Sequence, residues 1–65
     1  MKRVTKNNLL ELIDMKKQYI EGGKQNKELL KEINYFIDNV INKDKNYYSK
    51  LKSYNLNSDD LSWLI

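Results

Sequence analysis

The clearest pattern in the chain is a stripe of apolar residues with helical spacing between positions 29 and 41. The stripe consists of Leu29, Leu30, Ile33, Phe36, Ile37, Val40 and Ile41. This spacing places all of them on one broad face of a helix, with polar residues on the remaining faces. A single amphipathic helix is marginal in water and has to cover its apolar face with another element. The pattern therefore predicts a helix that packs against a second one.

A second helical pattern precedes this stripe, and Asn8 is the residue we expect to cap its start. The pattern ends near Glu21, where Gly22-Gly23 supply the conformational freedom that a helix C-terminus commonly uses. Asn26 follows closely and is a suitable N-cap for the next helix. Because short connections join antiparallel neighbours, residues 8–42 are predicted to form an antiparallel helical hairpin.

Polar residues at positions 42–46 interrupt the apolar stripe. Tyr47, Tyr48 and Leu51 then return in the same helical register, so one continuous helix is an alternative. A compact monomer requires a bend at this point, whereas an extended dimer would favour the continuous helix. We expect the bend, although the chain contains no proline to enforce it.

The last part of the chain has a loop pattern at residues 55–57, followed by Ser58 as the expected N-cap of a final helix. The segment Leu61–Ile65 ends in three apolar residues, which is unusual because chain ends are commonly polar and mobile. We expect it to close the open side of the hairpin, and a docking peptide is the alternative.

The predicted fold is a single all-α domain over residues 1–65, with three to four helices. It consists of a basic lead at residues 1–7, the helical hairpin at 8–42 and a helical C-terminal part at 43–65. A domain of 65 residues has a thin core, so oligomerisation or binding of a partner would help to stabilise it. A homodimer is therefore one open alternative for its assembly.

The composition excludes chemistry that requires cysteine or histidine. The chain has no cysteine and no histidine, so it lacks thiolate chemistry, disulfides, the commonest metal ligand and the commonest general base. We accordingly expect no catalytic residue, no metal site and no cofactor. No apolar run exceeds three residues, so we expect no membrane span and a cytoplasmic location.

Charge and aromatic residues indicate where a partner would bind. The net charge is +3, and eleven of the twelve cations are lysine, which disfavours sequence-specific DNA reading because arginine is the usual base reader. Lysines around two tyrosines in residues 43–52 leave non-specific binding of single-stranded nucleic acid as an alternative. Trp63 is the best single contact candidate, and it is equally suited to filling the core. The predicted partner-binding residues are Lys16, Lys43, Lys45, Tyr47, Tyr48, Lys50 and Trp63.

Helical spacing places Lys16 within the apolar face of the first helix, which is an unusual position for a charged residue. One interpretation is that its aliphatic stem packs while the ammonium group reaches water. The other is that the cation is presented to an acidic partner from the rim of a binding face.

About half of the chain resembles the small sporulation aspartyl-phosphate phosphatases, which are helical hairpins that dephosphorylate response regulators. Residues 13–17, Ile-Asp-Met-Lys-Lys, are similar to the pattern in the family's first helix. Ile37-Asp38 matches the end of the family's second-helix motif, whereas residues 34–36 depart from its serine, glutamine and glutamate. The resemblance implies an activity on response regulators, with Asp38 as the functional position.

Taken together, the sequence favours a small non-enzymatic regulator or inhibitor that docks on a larger protein. Small helical proteins without cofactors are common in phages and mobile elements, and that analogy supports the same interpretation. A phosphatase-like regulator and a weak nucleic-acid binder are the two alternatives.

Overall fold

The computed structural model describes residues 4–64 and contains four α-helices in that range. Helix α1 spans Lys6–Glu21, α2 spans Lys27–Phe36, α3 spans Tyr47–Ser53 and α4 spans Ser58–Ser62. No strand occurs between residues 4 and 64. The predicted all-α class is therefore confirmed.

Helix α1 begins earlier than predicted because Thr5, not Asn8, is its N-cap. The Asn8 amide donates to Thr5 Oγ1 at 3.2 Å, and the Thr5 amide donates to Asn8 Oδ1 at 2.8 Å. Two such reciprocal bonds form a capping box, so Asn8 supplies its second half. Val4, just before the cap, is only 2% exposed. Residues 4–7 thus belong to the folded unit instead of the predicted basic lead, while residues 1–3 of that lead lie outside the described residues.

The turn after α1 forms where the two glycines were expected to end the helix. The amide of Gly23 donates to the Ile20 carbonyl at 3.0 Å, and that of Lys24 donates to the Tyr19 carbonyl at 2.9 Å. This pair of bonds is the Schellman arrangement. Gly23 has φ 76°, a left-handed conformation that costs glycine little. The turn returns the chain so that α2 packs against α1, as the hairpin prediction required.

Helix α2 starts at the predicted cap, since the Asn26 side chain accepts a hydrogen bond from the Leu29 amide at 3.1 Å. Its C-terminal end widens into a π-helical segment, Ile37–Ile41. The Asn42 amide donates to the Ile37 carbonyl at 2.9 Å, which is the five-residue spacing of a π-helix. Nothing in the apolar spacing of the sequence indicated this change of helical pitch.

The chain bends between the π-helical segment and α3, as expected. Asp44 organises the bend, because its amide donates to the Ile41 carbonyl at 3.1 Å and its carbonyl accepts from the Tyr47 amide at 3.2 Å. Its carboxylate also accepts from the Asn46 amide at 2.9 Å. The alternative of one continuous helix is therefore wrong. Local hydrogen bonds of an aspartate achieve a turn that no proline enforces.

The final connection brings α4 back towards the rest of the molecule. Asn55 has φ 55°, the left-handed conformation that asparagine tolerates better than most residues. The Asn57 side chain accepts from the Asp60 amide at 2.8 Å, so Asn57 is the N-cap of α4. The predicted cap at Ser58 is wrong by one residue.

The core joins the hairpin to both ends of the described chain. Its buried side chains are Val4, Leu9, Leu12, Ile13, Ile33, Val40, Tyr47 and Leu51. Leu61 and Leu64 are partly buried and pack against this core. The Tyr54 hydroxyl donates to the Val4 carbonyl at 2.8 Å, which fastens the end of α3 to the start of the folded unit. Leu61–Leu64 therefore helps to close the hairpin, while Ile65 lies outside the described residues.

Candidate functional site

The two adjacent tyrosines of α3 have opposite environments. Tyr47 is 6% exposed, whereas Tyr48 is 74% exposed, more than any other large hydrophobic residue between positions 4 and 64. Consecutive helical side chains point about 100° apart, so only one of the two faces the core. The rings meet edge to face with centroids 5.4 Å apart. Burial raises the pKa of Tyr47, and Tyr48 beside it contributes to the same shift.

Two concavities flank the Tyr48 ring. The smaller has a volume of about 240 Å³ and is lined by Tyr48, Leu51, Lys52 and Leu61. Its wall is almost entirely apolar, because the buried Leu51 and the partly buried Leu61 line it beside the Tyr48 ring. We refer to Lys45, Tyr48, Leu51, Lys52 and Leu61 as the Tyr48 surface.

The larger concavity has a volume of about 400 Å³ and lies on the side of Tyr48 that faces the bend. Ile37 and Ile41 of the π-helical segment line it together with Lys45 and Tyr48. The widened helical pitch thus places two aliphatic side chains next to a lysine and an exposed aromatic ring. Lys16, Asn42 and Asp44 also line this concavity, so its wall is about equally polar and apolar.

The lysines predicted for this region differ in their availability. Lys43, Lys45 and Lys52 are exposed, whereas Lys50 is partly buried and forms an ion pair with Asp44. The hydrogen bond from Lys50, reinforced by the Asn46 amide, lowers the pKa of the Asp44 carboxyl. The charge of Lys50 is therefore compensated inside the molecule, and the other lysines carry the positive charge of this region.

Lys16 and Trp63 form an internal connection between α1 and the end of α4. The Lys16 ammonium donates to the Trp63 carbonyl at 2.7 Å, and burial lowers the pKa of Lys16. Lys17 Nζ lies 5.9 Å from the centroid of the Trp63 ring and 4.0 Å from Asp59 Oδ2. These contacts give Lys16 and Trp63 a role within the fold, so partner binding through them stays a prediction. Trp63 is half-buried, which is compatible with both roles that the sequence suggested, contact with a partner and filling of the core.

A separate groove of about 570 Å³ lies between α1 and α2. Met15, Phe36 and Val40 contribute apolar lining, and Tyr35 stands at its edge with 61% of its surface exposed. Glu11, Lys31 and Glu32 give the rim charges of both signs. Tyr35 thus provides a second exposed tyrosine in a different electrostatic setting, which makes it a matched control for Tyr48.

The acidic residues form no group that suggests metal chemistry within residues 4–64. Asp38, the position implied by the phosphatase resemblance, is exposed in the π-helical segment. Within residues 4–64, no three acidic side chains are grouped so that they would hold a metal ion. No helix in the described part of the chain is both long and apolar enough to cross a membrane.

Comparison with known proteins gives no match: no protein-family model, no curated protein and no solved structure corresponds to this chain. The resemblance to sporulation phosphatases therefore stays a prediction, and the site has to be interpreted from its own geometry.

Proposed function

We propose that this protein is a small non-enzymatic binding module that docks on a larger protein through the Tyr48 surface and thereby regulates or inhibits it. The observation that supports the proposal is the 74% exposure of Tyr48 beside the buried ring of Tyr47. Tyrosine is enriched among the residues that dominate binding energy, because it offers a large, fairly rigid contact area with a polar end.

The size of the molecule is compatible with such a role. A stable interface buries about 800 Å² on each partner. The accessible surface of the protein is 5008 Å², so such an interface would cover roughly a sixth of it. Tyr48 alone is too small for that area, and the two flanking concavities extend the contact along α3 and the bend.

The groups around Tyr48 favour binding over catalysis. Asp44 is the carboxylate that lines the larger concavity, and Lys50 holds it in an ion pair. A carboxylate with a lowered pKa is a weak general base, because efficient proton transfer needs a pKa near the working pH. The lysines at the surface are suited to attracting a charged partner.

Nucleic-acid binding is less well supported than protein binding. A single-strand binder stacks successive bases on several exposed rings, whereas within residues 43–52 Tyr47 is buried and Tyr48 alone is exposed. The pairing of Lys50 with Asp44 also removes one of the four lysines of the segment from phosphate contact. Both observations weaken the combination of lysines and aromatic rings that suggested this alternative.

The proposal is tested by affinity capture from a lysate of the source organism, followed by titration calorimetry with the purified captured protein. Wild type is compared with Tyr48→Ala and with Tyr35→Ala, which removes an exposed ring outside the Tyr48 surface. A residue that anchors an interface contributes about 2 kcal/mol or more, so Tyr48→Ala should weaken binding about 30-fold. Tyr35→Ala should bind as wild type does.

Two results would contradict the proposal. Equal affinity of Tyr48→Ala and wild type for the captured protein would show that binding uses another surface. Failure of wild type to retain any protein in stoichiometric amount would argue against a binding module altogether. Circular dichroism of both variants confirms that each retains the helical fold before binding is compared.

A further inference from the structure

We infer that the partner presents an acidic segment to the Tyr48 surface and inserts one apolar side chain from that segment into the smaller concavity. This inference rests on the proposed function and specifies the chemistry of the partner. Two independent observations lead to it, namely the distribution of charge along the chain and the apolar character of the concavity.

The net positive charge of the protein comes from the segment that contains Tyr48. Residues 43–52 contain four lysines and one aspartate, a net charge of +3, which equals the net charge of the whole chain. The acidic and basic residues of the remaining sequence balance each other. The segment therefore accounts for the excess of positive charge that would attract an acidic partner.

The structure leaves most of this charge accessible. Lys43 and Lys45 are exposed in the bend, and Lys52 is exposed on α3 beside the concavity. Asp44 is paired with Lys50. Of the two α4 carboxylates that precede Leu61, Asp59 lies 4.0 Å from Lys17 and Asp60 is half-buried. Positive side chains thus border the Tyr48 ring on both sides, and negative groups on a partner would complement them.

The smaller concavity determines what else the partner must carry. It is lined by Tyr48, Leu51, Leu61 and the stem of Lys52, with a volume of about 240 Å³. An apolar cavity of about 150 Å³ is enough for a benzene-sized ligand, so this one admits a single aliphatic or aromatic side chain. The apolar wall favours an apolar side chain over a phosphate group, which would lose part of its hydration on entering.

The experiment uses isotope-labelled protein and four synthetic probes, followed by amide chemical-shift titration at low and high salt. The probes are an acidic dodecapeptide containing leucine, the same peptide with alanine for leucine, a basic peptide containing leucine, and single-stranded oligothymidylate. We expect the first probe to bind and to shift the resonances of Tyr48, Lys52 and Leu61. Replacement of leucine by alanine should weaken binding about tenfold, and the basic peptide should not bind.

Charge-reversal variants provide the second arm of the test. The double variant Lys45→Glu and Lys52→Glu should weaken binding of the acidic leucine peptide by at least about tenfold and reduce its salt dependence. The matched control, Lys27→Glu with Lys31→Glu, reverses two exposed charges on α2 and should bind as wild type does.

Several outcomes would overturn the inference: equal binding of the acidic and basic peptides, tighter binding of oligothymidylate, no binding of the acidic leucine peptide, or shifts confined to another surface. The proposed function is distinguishable from it. If a captured partner requires Tyr48 but is insensitive to the charge reversal at Lys45 and Lys52, the binding surface stands and the inferred acidic chemistry is wrong.

Discussion

The contrast between the two tyrosines of α3 gives the sharpest prediction about the fold. We expect Tyr47→Ala to unfold a large part of the molecule at ambient temperature and Tyr48→Ala to leave it folded. The two changes delete the same ring from neighbouring positions of one helix. Their different consequences follow from exposure alone, 6% against 74%.

The loss of stability expected for Tyr47→Ala follows from the burial of the Tyr47 ring. Truncating a buried aromatic side chain to alanine costs about 3–5 kcal/mol. A domain of this size rarely has more than about 3–5 kcal/mol of total stability, so the variant would be close to or beyond the point of unfolding. Its hydroxyl also donates to the Leu64 carbonyl at 3.5 Å, and that weak contact to the closing segment would be lost as well.

The loss of stability expected for Tyr48→Ala is much smaller. Its ring contacts Tyr47 edge to face, and the loss of that contact is worth at most about 1 kcal/mol at an exposed position. The assay is urea denaturation followed by far-ultraviolet circular dichroism, with Trp63 fluorescence as a second probe. If Tyr48→Ala destabilises the protein as much as Tyr47→Ala does, the assigned environments of the two rings are wrong.

Three further predictions concern other contacts. The pKa of Asp44 is lowered chiefly by Lys50, so its contribution to stability is present above about pH 4 and is lost as the pH falls through the folded-state pKa. In Asp44→Asn, the free energy of unfolding measured by urea denaturation should therefore decrease less at acidic pH than it does in wild type. Lys16→Met retains the aliphatic stem but loses the bond to Trp63, so amide exchange in α4 should become about fivefold faster. Asp38→Ala and wild type should both leave the rate of aspartyl-phosphate loss from a receiver domain at its value in buffer, as followed by phosphoprotein gels.

Each of these has a clear contrary result. If the free energy of unfolding of Asp44→Asn decreases at acidic pH as much as that of wild type, the ion pair with Lys50 contributes nothing to stability. Wild-type exchange rates in Lys16→Met would mean that the bond between Lys16 and Trp63 does not help to hold α4. Acceleration of phosphate loss by wild type, abolished in Asp38→Ala, would establish the phosphatase alternative and contradict a non-enzymatic role.

Local patterns in the sequence predicted the helices well, because helical spacing and glycine placement act within a few residues. The hairpin, the turn at Gly22-Gly23 and the cap at Asn26 were all accessible to this reasoning. The cap positions failed where two suitable residues compete. Thr5 precedes Asn8 by one helical turn and Asn57 adjoins Ser58, so residue type alone does not distinguish them.

The site was harder to predict because it depends on distant contacts. Lys16 and Trp63 are 47 residues apart, and no local pattern links them. The π-helical segment Ile37–Ile41 changes the helical pitch just before the bend, which shifts the direction in which following side chains point. The sequence therefore identified Tyr47 and Tyr48 as a pair, whereas packing decides which of them is available to a partner.

The most direct test of the binding surface is photo-crosslinking in cells of the source organism, with a photoreactive phenylalanine analogue at position 48 or, as control, at position 35. Both tyrosines at these positions are exposed, and only Tyr48 belongs to the Tyr48 surface. We expect one discrete covalent adduct with another protein from position 48 and none from position 35. Adducts from position 35 alone, or none from position 48, would contradict the proposed binding through the Tyr48 surface.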